Sequence, residues 1–269
     1  MVAKAAIAYC QSIGDEVVTK TRQELDISDR EDVFSLFEQE KFDAVLNCAA
    51  YTNVDGAETN QIVCAMTNDA GVGNLAKASK KINSAFVTIS TDYVFDGTKG
   101  DFYTQRDQPK PQGVYAHTKL LGENQARLNY ARSIIVRSGW IFGEGGTNFL
   151  SVMHKFLAEG KSIKAISDSF GTPTFAKDLA KRLRELAELD LPAIYHVTND
   201  GEGTTFAGFA EKVCELKGLD KKLVEGVAMD SLSRPAPRPR DSRLRCLFSE
   251  KFGLSPLQSW EKALEEFLQ

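Results

Sequence analysis

An α/β fold with a doubly wound parallel sheet and a smaller C-terminal part is predicted by three features of this 269-residue chain. Apolar runs of strand length alternate with longer helical runs as far as about Gly143, the signature of repeated strand–helix units. The strand-like runs end in polar residues, as where Ala44–Cys48 leads to Tyr51–Asp55, and ligands of such sheets sit at the carboxyl ends of the strands. With 42% hydrophobic and 26% charged residues, the chain can bury one large core or two small ones.

Met1–Cys10 reads as a helix ending at Gly14, and Glu16–Thr19 as the strand after it. The next helix runs from about Arg30 to Glu40, and Ser28-Asp29-Arg30-Glu31 at its start is a capping box, which fixes the boundary. Ala44–Cys48 is a strand, a helix follows from about Ile62 to Lys80, and Ala85–Ile89 is the next strand. The Gly, Pro and Gln content of Asp96–Gly113 marks an irregular loop. A helix from about Val114 to Asn129 then leads into the strand Ser133–Val136. Beyond Gly143, helices near Asn148–Glu159, Ala176–Leu189, Phe206–Lys217 and Ser259–Leu268 supply the smaller part, without repeats or low-complexity linkers.

The net charge of -4 argues against a nucleic-acid surface, and no apolar run has the length of a membrane span. No signal peptide is recognisable, so a cytoplasmic location is expected. Five scattered cysteines lack C-x-x-C spacing and the three histidines do not cluster with them, so neither a metal site nor a disulfide framework is read. Cys48, in an apolar strand, reads as a buried thiol, and His117 as solvent-facing.

The chemistry concentrates in Ile89–Gly97 and in Tyr115-Ala116-His117-Thr118-Lys119. Residues one helical turn apart share a face, so the Lys119 ammonium can lie beside the Tyr115 phenol and favour its ionised form. Thr91, at the end of a strand, can hydrogen-bond the same carbonyl oxygen that Tyr115 protonates. Together these three residues suit reduction of a carbonyl by hydride. A lone Tyr-x-x-x-Lys is weak evidence, since Tyr and Lys are often mere neighbours on a helix surface.

The surrounding text resembles the extended short-chain dehydrogenase/reductases, and within them the dTDP-4-dehydrorhamnose reductase family. The matching segments run nearly end to end: Leu25–Ser28, Asn47–Asp55, Ser90–Gly97, Val114–Lys119 with Leu120 and Gly122-Glu123, Arg137–Gly143, Gly171–Thr174, Tyr195-His196 and Arg238–Ser242. The resemblance implies an NAD(P)-binding Rossmann-like domain over residues 1–145 and a substrate-binding part over 146–269, some segments of which return to the sheet. One departure is marked. The family opens with a strand and a G-x-x-G-x-x-G turn whose N–H groups meet the cofactor pyrophosphate, whereas this chain opens on what reads as the first helix. The expectation is therefore a sheet interrupted at its centre, from a late start or from a relative that no longer uses the cofactor.

Thr19-Lys20-Thr21-Arg22, after the expected second strand, favours the 2′-phosphate of NADPH over NADH, though a solvated turn would look the same. By resemblance Asp26 and Ile27 flank the adenine, Ala49, Ala50 and Tyr51 line the ribose and nicotinamide passage, and Tyr115 and Lys119 also contact the cofactor. Thr91, Asp92, Val54, Tyr93 and Trp140 are expected at the sugar. Arg238, with Arg234 and Arg240 beside it, can pair with a nucleotide diphosphate through guanidinium forks. Asn148 is either a helix cap or a ligand. The resemblance thus implies an NADPH-dependent reductase of the C4 keto group of a nucleotide-linked 4-keto-6-deoxysugar, making dTDP-L-rhamnose for polysaccharide, and at family level a homodimer. Two readings stay open beside it: a non-catalytic regulatory or scaffold subunit, as in the methionine adenosyltransferase beta subunit, and a nucleotide-sugar epimerase.

Overall fold

The computed structural model describes residues 1–269. In chain order it contains α1 (Val2–Ser12), α2 (Arg30–Gln39), β1 (Ala44–Asn47), α3 (Val54–Thr59), α4 (Gln61–Ala65), a π-helical turn (Met66–Gly71), α5 (Val72–Ile82), β2 (Ala85–Thr91), α6 (Gly113–Asn129), β3 (Ser133–Ser138) and β4 (Ile141–Phe142). There follow α7 (Phe149–Ala158), β5 (Ile163–Ile166), β6 (Phe170–Gly171), β7 (Thr174–Phe175), α8 (Ala176–Leu189), β8 (Ile194–His196), β9 (Thr204–Thr205), α9 (Phe206–Lys217), β10 (Val224–Val227) and α10 (Trp260–Leu268).

The main sheet is parallel, in the order β1-β2-β3-β8. Its central strands are buried on both sides, as parallel strands covered by helices must be: Phe86 faces a cluster with Val33, Phe37, Leu75 and Ala126, and Val87 faces one with Ile134, Leu179 and Leu183. Helices α2, α5 and α6 thus cover one face, and α8, against which α1 packs, covers the other. A third cluster, including Phe142, Met153, Leu157, Phe175, Phe209 and Leu264, holds the C-terminal helices together. No helix is long and apolar enough to cross a membrane.

Four expectations are corrected here. Glu16–Thr19 forms no strand, and its backbone makes no ladder hydrogen bonds. A β conformation needs a partner edge, and an open cleft of about 1180 Å³ lies between this segment and β1. The four strands that do form are contiguous, so the expected interruption at the sheet centre is not supported. The cap of α2 is Asp29, which accepts from Glu31 N at 2.9 Å and Asp32 N at 3.1 Å, while the Ser28 hydroxyl turns back to Asp26. Finally, the helix expected over Ile62–Lys80 is broken into α4, the π-helical turn and α5.

That π-helical turn fits against α6 through a glycine. A Cβ placed on Gly122 would lie 2.1 Å from the Asn68 carbonyl oxygen, and backbone cannot step aside as a side-chain tip can. Gly122→Ala is therefore expected to destabilise the fold by about 1–3 kcal/mol, read as a fall in Tm. An unchanged Tm would show that the two helices can separate without loss.

Candidate active site

Strand β2 ends at Thr91, and α6 crosses its carboxyl end carrying Tyr115 and Lys119 on one face. The three expected catalytic residues are therefore brought together. Lys119 is buried, and its ammonium donates to the Ile89 carbonyl at 2.7 Å. Burial pulls it down to about 8, partly opposed by the carboxylate of Glu123 one turn further along α6. The Tyr115 ring meets Tyr93 edge-on at 6.1 Å. Burial pushes the Tyr115 phenol up, and the facing Thr91 hydroxyl offsets part of that. Desolvation thus dominates at the phenol and holds it in its protonated, donor form, and the pull expected from Lys119 is not among the influences on it.

Thr91 is itself tightly placed. Its hydroxyl accepts from Tyr93 N at 3.2 Å and donates to Asp92 Oδ1 at 3.1 Å. The Asp92 carboxylate is buried, receives the Ser242 hydroxyl at 2.5 Å, and faces the Cα of Gly139. Burial raises it to about 6. Asp92 therefore stands behind Thr91 and ties it to the C-terminal segment, rather than pointing at a sugar as expected.

The cleft beside β1 is lined by all seven residues expected at the cofactor apart from Tyr115 and Lys119: Lys20, Arg22, Asp26, Ile27, Ala49, Ala50 and Tyr51. Lys20 and Arg22 are exposed cations at its rim. Arg22 lies 3.6 Å from Asp26, whose carboxyl is held low chiefly by the Ser28 hydroxyl and backbone N–H. Ile27 is buried, so only part of it can meet a ligand. The cleft has volume enough for an extended dinucleotide, and its lining combines small residues at the strand end with the Lys20 and Arg22 cations.

Residues without an expected role hold this groove in shape. Asn68, fully buried in the π-helical turn, accepts from Tyr51 N at 2.8 Å and donates to Tyr51 O at 3.1 Å and to Thr118 Oγ1 at 3.2 Å. It thereby fixes the Ala49–Tyr51 loop to the helix that carries Tyr115. Asn47 does the same within the sheet, donating to Thr88 Oγ1 at 3.0 Å and accepting from Ala49 N at 3.0 Å. For Asn47 the available signal was a polar residue amid apolar ones, which says nothing about its partner, and Asn68, between Thr67 and Asp69, gave none. Cys48, expected as a buried thiol, is only half-buried at the cleft, with its thiol pushed up to about 12 by desolvation, and His117 is exposed.

On the substrate side, Val54 starts α3 and Tyr93 stands beside Tyr115, both half-buried. Trp140 adopts a left-handed φ of 51° and stacks on Phe206 at 3.9 Å. Gly171 lies against the other side, where a Cβ would fall 2.0 Å from the indole, so the ring is clamped and only partly available as a wall. Arg238 is a correction. Its fork is taken by Asp55, with Nη1 to Oδ1 at 2.6 Å and Nη2 to Oδ2 at 2.9 Å. A bidentate carboxylate satisfies the geometry that a phosphate would have used, so Arg238 fastens residues 234–240 to α3. Arg240 likewise pairs with Asp168 and Asp230, and Asn148 is the cap of α7, accepting from Ser151 N at 3.0 Å.

The chain matches the family model described as the RmlD substrate binding domain over residues 1–269. It is 38% identical over 228 residues to a dTDP-4-dehydrorhamnose reductase of Mycobacterium tuberculosis, covering 82% of this chain and 75% of that one. A crystal structure of a dTDP-4-dehydrorhamnose reductase from Clostridium acetobutylicum superposes with a TM-score of 0.94 at 32% identity, covering 99% of this chain and 94% of that one. The same enzyme from Bacillus anthracis, solved in complex with NADP, gives a TM-score of 0.94 at 28% identity, with the same coverages.

Proposed function

The chain belongs to the RmlD substrate binding domain family, and from that premise we propose that it is an oxidoreductase that reduces the C4 keto group of dTDP-4-dehydrorhamnose with NADPH. One observation carries the reading: Thr91, Tyr115 and Lys119 converge at the carboxyl end of β2, and the Ala49–Tyr51 loop that lines the cleft at the end of β1 is tied through Asn68 to Thr118 of the helix carrying Tyr115 and Lys119.

The nicotinamide cofactor, when bound, supplies the hydride; Lys20, Arg22, Asp26, Ile27, Ala49, Ala50 and Tyr51 are the residues that would hold it. Tyr115 gives its proton to the carbonyl oxygen as negative charge develops there. Burial, which keeps the phenol protonated beforehand, also makes the Lys119 charge count for more once the phenolate forms, because a low dielectric strengthens the attraction. Thr91 supplies a second donor by turning its hydroxyl from Asp92 to the substrate oxygen. Val54, Tyr93 and Trp140 wall the sugar. In this reading residues 1–145 bind the cofactor and 146–269 the sugar, and the chain works in the cytoplasm as a homodimer that contributes to polysaccharide synthesis.

The test is the reduction of dTDP-4-dehydrorhamnose by this chain, followed through oxidation of NADPH. Absence of turnover from a folded protein would sink the assignment. Cofactor choice is read separately from thermal unfolding. NADPH at 100 times its Kd is expected to stabilise the fold by about 2.7 kcal/mol, with NADH at the same concentration giving a smaller shift because Lys20 and Arg22 gain nothing from a bare 2′-hydroxyl. Equal shifts would remove the role of these two cations.

A further inference from the structure

Glu123 lies one turn beyond Lys119 on α6 and is 3% exposed. Its carboxylate is held from two strands at once. Arg137 of β3 donates from Nε to Oε1 at 2.9 Å and from Nη2 to Oε2 at 2.6 Å, and Ser90 of β2 donates to Oε1 at 2.5 Å. Arg137 in turn lies over the Phe95 ring at 5.2 Å, so its far side is covered too. A fixed carboxylate is thus installed immediately behind the catalytic strand end, on the same helical face as Tyr115 and Lys119.

We propose that Glu123 is a positioning residue for the reaction: its carboxylate, locked by Arg137 and Ser90, keeps the Lys119 ammonium charged inside the buried site. The proposal rests on the reductase reading given above and adds a role to that site.

The charge balance around Lys119 follows from the elements packed on it. Cys64 approaches from α4 and Cys48 from the exit of β1, and burial raises both thiols, so neither carries charge near neutrality. Tyr115 is held protonated on the same helix. That leaves Glu123 as the standing negative charge facing the ammonium. Arg137 holds the carboxylate from β3, and the net influence of Glu123 on Lys119 still favours the charged ammonium, so the arginine offsets it only in part. Opposite charges within a helical turn in a desolvated site favour the charged form of each other. A purely structural ion pair between α6 and β3 would need no such placement relative to Lys119.

The experiment follows the 13Cε resonance of Lys119 in protein labelled with 13C-lysine, assigned by Lys119→Arg, from pH 6 to pH 10. The wild-type midpoint is expected near 8. Glu123→Gln is expected to lower it by about one unit or more. In the pair variant Glu123→Gln/Arg137→Met, which leaves no unpaired buried charge and protects against loss of folding, the midpoint is expected between the two. The alkaline limb of kcat/KM should move with the resonance, with kcat falling at neutral pH and little change in KM. A pair variant that titrates at the wild-type midpoint overturns the proposal and reduces Glu123 to a structural tie. Failure of the reductase reading shows differently, as wild-type protein without turnover, and the resonance still decides the role of Glu123.

Discussion

Replacing Tyr115 by phenylalanine is expected to lower turnover by roughly 10²–10⁴-fold, the contribution of a positioned general acid, while the affinities for cofactor and substrate stay close to the parent values. The substitution removes one oxygen and keeps the ring. The edge-on contact with Tyr93 at 6.1 Å is an interaction of ring with ring, so the packing at the mouth of the site should persist. What disappears is the donor that burial holds protonated and that Thr91 faces. Thr91 cannot take over, because its hydroxyl can donate a hydrogen bond to the substrate oxygen but loses its proton far less readily than a phenol. The check is steady-state kinetics on the parent and the Tyr115→Phe variant with a parallel thermal-shift titration of cofactor. Turnover within a factor of about ten of the parent, below the usual range for a general acid, would show that the proton comes from elsewhere.

Much of this arrangement was legible before any coordinates. Thr91, Tyr115 and Lys119 could be placed because a strand end and a helical turn are local features, fixed by period and by the residues themselves. Helices α8 and α9 begin and end at the residues read from the sequence for the same reason. Side chains whose meaning depends on a distant partner were not legible. Arg238 looks like a phosphate ligand until Asp55, far back in the chain, is seen to occupy its fork. Asp92 looks like part of the substrate wall until Ser242 turns it inward. The π-helical turn escaped because its cause is tertiary: Asn68 fits against Gly122 and reaches Tyr51, and no periodicity announces such a fit. Glu16–Thr19 has strand-like composition, yet composition cannot supply the edge that a strand must pair with.

Acid is expected to weaken the fold through His196. The ring is buried in β8, with Nδ1 at 3.1 Å from the carbonyl oxygens of both Tyr103 and Arg245. Two acceptors on one nitrogen require that Nδ1 carry the proton and donate, so Nε2 is bare, and it has no partner. Burial lowers this group to about 3, with the positive charge of Arg137 adding to the effect. The unfolded chain binds the proton at the ordinary histidine value of about 6.5, so between those limits the unfolded state holds more protons than the folded one. The stability is therefore complete above about pH 6.5 and is lost as pH falls toward 3, at about 1.4 kcal/mol per pH unit, or of order 2 kcal/mol at pH 5. Asp92 works in the opposite sense, since a carboxyl raised to about 6 in the folded state gains from protonation between that value and its unfolded one. The two slopes oppose each other over much of the range, and total stability alone would hide both. His196→Asn separates them: the amide can donate where Nδ1 did and cannot titrate. Urea unfolding at pH 7 and pH 5 should show the variant gaining on the parent by about 2 kcal/mol as the pH is lowered. A difference that stays constant between the two pH values would mean that His196 accepts its proton in the folded state without cost. Arg137 would then have to tolerate a second buried cation while still holding Glu123, and the charge placement proposed around Lys119 would need another explanation.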